Sequence, residues 1–262
     1  PFLIILCTNK ILFNFLEFID NIFLTNYFGE IMKKIIFILT LVLSGLVFAD
    51  DRPFQSFFGI KTTQPLAVVA AMDELSEANC PGTASIRLMN ELFNGTDETT
   101  HTIVITYPDK EAYKLWAASF SNCPASGKFL QTMSKISEQT FQFMGMPLLV
   151  EGDTNEDQVF NVFLMDVSDP AAYGKAYAKL MSTGQCPSSY ALIAMGPGQD
   201  IETYGTHFAY CGYKTIDSYL DAYMNNVTPT KEYLSFVNEV SDIRTLKATN
   251  MSAVVKDWVP ND

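Results

Sequence analysis

Shifted by 106 residues, the chain falls on itself. A register without a gap runs from Phe54 to Tyr113, setting Phe54 on Phe160, Phe57 on Phe163, Cys80 on Cys186, Met89 on Met195, His101 on His207, Tyr107 on Tyr213 and Tyr113 on Tyr219. A two-residue deletion in the second copy then brings Phe129 and Leu130 onto Tyr233 and Leu234. A repeat of this length means two copies of one module, each finishing its core against its sister.

Both copies read alike. An apolar strand at 55–61 is matched by one at 161–167, and Pro65 and Pro170 stand near the starts of the helices that follow, where a missing N–H costs nothing. The first helix stops before Cys80 and Pro81, because the residue before proline avoids the helical region. Strands at 84–89 and 101–107 flank an Asn94–Gly95 turn, with counterparts at 191–195 and 207–213. Helices at 109–120 and 126–138, broken at 122–124, precede a closing strand near 141–150. The strands are apolar on both faces, as in Ile103–Ile105 and Phe160–Met165, so each sheet expects helices on one side and the sister sheet on the other. The predicted modules are 50–152 and 153–262.

The region before them has a different character. Met32, Lys33 and Lys34 open a short basic stretch, 35–47 is apolar, and Val47-Phe48-Ala49 supplies small residues before a cut, so 32–49 reads as a signal peptide. Residues 1–31 begin with Pro1 and read as translation upstream of Met32. Export to a periplasm or to the medium follows, with no membrane segment after cleavage. Residues 50–262 carry 14 Lys and Arg against 26 Asp and Glu, a surface that repels nucleic acid. Four cysteines remain there, Cys80, Cys123, Cys186 and Cys211, and an even number in an exported chain points to disulfides. Of three pairings, Cys80 with Cys123 and Cys186 with Cys211 is favoured, each within its own module. No Cys-x-x-Cys or paired metal spacing occurs, and no metal site is expected.

The stretch His101–Trp116 (HTIVITYPDKEAYKLW) followed by Ser126–Leu130 (SGKFL), echoed by His207–Tyr219 and Thr230–Leu234, resembles the dimeric α+β barrel superfamily of antibiotic-biosynthesis monooxygenases and similar ferredoxin-like proteins. The resemblance covers residues 54–258. It implies an α+β fold of two tandem ferredoxin-like βαββαβ modules, forming within one chain the pseudo-dimeric barrel that relatives make by dimerising. It places a pocket between the sheet and helices of a module. The haem-degrading branch of that superfamily has an Asn on the first strand, a Trp in the short helix and a His on the next helix. Trp116 and Asn161 match in different modules, no His follows either, and Met133 stands at the iron-ligand position. No cofactor is therefore expected, and haem is disfavoured.

Candidate chemistry rests on few residues. His101 and His207, the only histidines, occupy equivalent strand starts, suited to a general base or a ligand and equally to a hydrogen-bonded structural group, which is the weightier reading. Trp116, Tyr113 and Phe120 form one helical stripe, and Tyr219 and Tyr223 another, each able to wall a pocket or to fill core. Arg87 interrupts an apolar strand, with Ile193 at its counterpart, and needs a carboxylate if it points inward. Because Trp116 becomes Ala222 and Arg87 becomes Ile193, the first copy is the better candidate for a site. The leading expectation is a binding protein for a small hydrophobic or aromatic molecule, monomeric or weakly self-associating. The rivals are a cofactor-independent monooxygenase-like enzyme using His101 or His207 as base, and a scaffold whose filled modules hold no pocket.

Overall fold

The computed structural model describes residues 53–80, 82–225 and 228–260. The leader at 32–49 and the stretch before it lie outside the described residues, as does Pro81. Strands β1 (Phe54–Thr62), β2 (Ser85–Phe93), β3 (His101–Tyr107) and β4 (Ser137–Glu151) come from the first repeat, and β5 (Val159–Val167), β6 (Tyr190–Met195), β7 (His207–Tyr213) and β8 (Arg244–Trp258) from the second. The helices are α1 (Pro65–Glu77), α2 (Lys110–Asn122), α3 (Pro124–Ile136), α4 (Pro170–Met181), the single turn α5 (Ile201–Tyr204), α6 (Ile216–Asn225) and α7 (Lys231–Val240). Among the described residues no helix is long and apolar enough to cross a membrane.

The strand order is β1-β3-β2-β8-β5-β7-β6-β4, closed into a barrel. Each repeat supplies a β4-β1-β3-β2 or β8-β5-β7-β6 sheet, and the two join edge to edge where β2 runs antiparallel to β8 and β4 to β6. The expected contact between sister sheets thus takes the form of one shared barrel, whose closure leaves none of the eight strands an open edge. Apolar residues on both faces of the strands suit this arrangement, one face meeting helices and the other the barrel interior.

Local chemistry sets the helix ends. Pro65, Pro124 and Pro170 open α1, α3 and α4. Asp109, Asp169 and Thr230 cap α2, α4 and α7 by accepting from the N–H groups of Ala112, Ala172 and Tyr233. Cys123 is extended and separates α2 from α3, as the break at 122–124 predicts. The closing strand is longer than expected, because the chain turns extended at Ser137 and pairs with β1 from there.

The ungapped repeat register does not survive in three dimensions. His101 lies opposite Ile60 and His207 opposite Met165, so β1 and α1 match β5 and α4 at a shift of 105. Phe58 then matches Phe163, Pro65 matches Pro170 and Leu75 matches Leu180. Ile86 lies opposite Ile105 and Tyr190 opposite Cys211, which sets β2 against β6 at a shift of 104. Arg87 therefore corresponds to Ala191 and not to Ile193. Small insertions and deletions in the loops around the Cys–Pro corners compensate, and the shift of 106 holds over β3 and α2. The correction has physical weight, because a slip of one residue turns a strand's side chains to the other face. Phe57 accordingly packs inside the barrel, while Phe163, its apparent match, packs against the helices.

Inside the barrel, the Phe57 ring stacks on Phe143 at 4.8 Å and meets the edge of Phe208 at 5.2 Å. Gly145 allows this approach, since a Cβ there would sit 2.8 Å from the Phe57 ring and 2.9 Å from Ile193. Two further cores lie outside the barrel wall, one beneath the helices of each repeat. Cys80 and Cys123 stand at disulfide distance, with Cα atoms 5.8 Å apart, and so do Cys186 and Cys211, at 5.4 Å. The first pair ties the corner after α1 to the α2–α3 junction, and the second ties the corner after α4 to β7.

Candidate functional site

Cavities lie between sheet and helices in each repeat, and a smaller one of about 130 Å³ lies inside the barrel. Of these three the one in the second repeat is the largest, about 580 Å³, against about 350 Å³ in the first. The two linings differ at the position of Trp116. In the first repeat the Trp116 indole fills the space under α2, edge-on to Tyr107 at 5.5 Å and stacked with Phe120 at 5.4 Å. In the second repeat Ala222 occupies the same place on α6 and lines the larger cavity. The surrounding frame is retained, because the Tyr107–Tyr113 pair (5.2 Å, 86°) is repeated by Tyr213–Tyr219 (5.2 Å, 89°).

Six tyrosines wall the larger cavity. Tyr173 and Tyr177 on α4 and Tyr213 on β7 are buried at its base, Tyr219 is half-buried, and Tyr223 and Tyr233 are exposed at its edge. The Tyr177 hydroxyl donates to the backbone oxygen of Ala191 at 3.2 Å. Burial pushes the phenols of Tyr177, Tyr213 and Tyr219 above their ordinary range, and that of Tyr173 too, against the opposing pull of the Arg244 guanidinium. All four stay protonated at neutral pH, so each hydroxyl has a proton to donate. Arg244, at the start of β8, also lines the cavity; its guanidinium lies 5.6 Å from the centre of the Phe236 ring. The first-repeat cavity holds no charged group, its polar lining being Ser134, Ser137 and Gln139.

The residues singled out from sequence are dispersed. His101 and His207 are buried at the starts of β3 and β7, where each Nδ1 meets the neighbouring threonine hydroxyl, Thr100 at 3.0 Å and Thr206 at 2.9 Å. Neither lines any of the three cavities, and burial lowers the pKa of both, which keeps them neutral. Trp116 lines the first-repeat cavity, whereas Tyr113 stands behind it against Phe54 and Tyr107. Tyr219 lines the second-repeat cavity with Cys211. Arg87 faces the barrel interior, bound through both Nε and Nη2 to Asp257 (2.7 and 3.0 Å), with its guanidinium 5.6 Å from the Phe160 ring centre. Its inward charge is thus neutralised within the protein.

Sequence reasoning missed Arg244, Tyr173, Tyr177 and Tyr233. The usable signal was the change from Trp116 to Ala222, which removes an indole beside the tyrosines. The barrel interior was missed as well. There Glu91 accepts from Thr102 and Ser252, both at 2.6 Å, and burial raises its pKa. Tyr204 on α5 donates to Asp97 at 3.0 Å across the barrel mouth. As for haem, Asn161 lines the second-repeat cavity and Trp116 the first, so the partial pattern is split between two sites and neither brings an imidazole to an iron. Among the described residues no three His, Cys, Asp or Glu side chains gather closely enough to hold a metal ion.

No protein-family model and no curated protein matches the chain. Solved structures do. A provisionally assigned monooxygenase of Fusobacterium nucleatum subsp. nucleatum superposes with a TM-score of 0.52 at 16% identity, covering 81% of this chain and 96% of its own. A similarly assigned protein of Lactobacillus acidophilus gives 0.51 at 14% identity, covering 80% and 100%. An anthrone oxidase-like protein gives 0.51 at 13% identity, covering 81% and 95%. The likeness therefore runs over both repeats. The chain has the ferredoxin-like dimeric α+β barrel fold, built from a single polypeptide.

Proposed function

We propose that this protein is exported and binds a small hydrophobic or aromatic molecule in the cavity between the sheet and helices of its second repeat. The observation that carries the proposal is the tyrosine-walled volume of about 580 Å³ opened by Ala222 where the first repeat has Trp116. That volume is in the range of small-molecule sites, and aromatic walls with a few placed polar groups are what such sites use. Fold alone assigns no activity. A monooxygenase-like enzyme acting on such a compound is the second reading, motivated by the names carried by proteins of similar fold. It requires a base beside the ligand. The buried cavity tyrosines hold their protons, which suits them to binding more than to proton abstraction.

The test is native mass spectrometry of residues 50–262 recovered from an oxidising compartment, beside the same chain carrying Ala222→Trp. A stoichiometric small-molecule mass on the parent, absent from the variant, is the expected outcome. Equal retention by both proteins places the ligand elsewhere and overturns the assignment.

A further inference from the structure

We infer that the second-repeat cavity selects an aromatic carboxylate, its ring among the tyrosines and its carboxyl group on Arg244. The inference rests on the binding function proposed above and adds the ligand's charge. Its basis is an imbalance in the cavity wall. Arg244 lines the cavity with its guanidinium hydrogen-bonded to Tyr173, and Nε, shut off from solvent, has no partner. No carboxylate among the described residues forms a salt bridge with this guanidinium, although acids outnumber bases almost two to one in residues 50–262. Arg87 shows the alternative, with Asp257 taking up its charge through two hydrogen bonds. A half-buried guanidinium that lines a cavity, with the Tyr173 oxygen and the Phe236 ring beside it but no carboxylate, suits an anionic ligand there, because a partly desolvated cation without a counter-charge is costly.

The other walls narrow the class. Tyr173 accepts a hydrogen bond from the guanidinium, and its own hydroxyl proton, held by burial, stays available to donate. A carboxylate offers two acceptor oxygens to the planar fork of an arginine and can accept from a phenol as well. Tyr213, Tyr219 and Tyr223 supply ring faces for a flat apolar body. The first repeat is an internal contrast. By strand pairing, Ser137 opposite Thr62 holds the place that Arg244 holds opposite Val167, so its smaller cavity is uncharged at the same position.

The experiment is calorimetric titration of the processed chain, disulfides intact, with 1-naphthoate and its neutral analogue 1-naphthalenemethanol. It is repeated on Arg244→Met, which keeps the length and apolar stem of the side chain, and on Arg244→Lys. We expect the parent to prefer naphthoate by about tenfold or more, the scale of a charge-assisted hydrogen bond. Arg244→Met should lose that preference while still binding the alcohol, and Arg244→Lys should recover part of it. Equal affinity of the parent for acid and alcohol, or a preference unchanged in Arg244→Met, overturns the charge assignment and leaves the cavity reading intact. Binding of neither probe by the parent overturns both. Retained binding of the alcohol by Arg244→Met serves as the check that the variant is folded.

Discussion

Replacing Ala222 with tryptophan asks whether the second-repeat cavity is open space, and the sign of the stability change answers. The indole would enter a frame already shaped for one, because Tyr213 and Tyr219 repeat the geometry that Tyr107 and Tyr113 present to Trp116. Trp116 itself is half-buried. Burying about 100 Å² of indole is worth about 2.5 kcal/mol at 25 cal/mol per Å². Ordering the side chain and giving up alanine's helix preference together cost roughly 1–1.5 kcal/mol. A net gain of about 1–2 kcal/mol remains, and for a chain of this size that raises Tm by about 2–8 °C. If the space were already filled, forcing in an indole would cost about 1–3 kcal/mol and lower Tm. Urea titration and thermal melts of the oxidised protein give the sign directly. A fall in Tm with an unchanged m value would refute the open-cavity reading.

The converse change, Trp116→Ala, should cost about 2–4 kcal/mol in urea denaturation and widen the first-repeat cavity enough to take up 1-naphthalenemethanol with no preference for the acid. Peptide mapping without reduction should recover Cys80 with Cys123 and Cys186 with Cys211; breaking either link should cost about 3–4 kcal/mol, given separations of 43 and 25 residues. Burial lowers the folded-state pKa of His101 and His207 below the ordinary value of 6.5, so the unfolded chain binds more protons at mildly acid pH. Their contribution is fully present above about pH 6.5 and is lost as pH falls toward the folded values, so His101→Gln with His207→Gln should flatten the stability profile there. Glu91 has the opposite sense: its raised pKa makes the folded state hold the extra proton above pH 4.5, so stability is full below that pH and falls as pH climbs from there through the raised folded value, and Glu91→Gln should remove the fall.

The repeat and the element types were legible because they depend on local spacing. Pro65 and Pro170 mark helix starts, Asp109 marks a cap, and the Asn122–Pro124 break separates two helices, all through interactions within a few residues. Face assignment was less legible. Strand side chains alternate, so the chance coincidence of Phe57 with Phe163 outweighed the better pair Phe58 and Phe163, and only pairing with β3 and β7 exposes the slip. The site was least legible. Arg244 and Tyr173 are 71 residues apart and meet only because β8 closes the sheet beneath α4. Nothing near Arg244 in the sequence distinguishes it from an exposed base.

Fusion of the two repeats explains why such a site can occur in one half alone. In a symmetric dimer every substitution appears twice, so a residue that opens one cavity opens both, and a charge added to one pocket is added to its mate. A single chain is free of that constraint. Here Trp116 and Ala222 differ while the tyrosine frame around them is kept, and Ser137 and Arg244 differ at matching positions of β4 and β8. One half is smaller, neutral and largely filled by aromatic rings; the other is larger and carries a cation. Both changes fall on the face between sheet and helices. Inside the barrel, where the repeats share one core, a change in either half is felt by both, as Phe57 of the first repeat packs directly on Phe208 of the second. Divergence is cheapest where the halves do not touch, and that is where the two cavities differ.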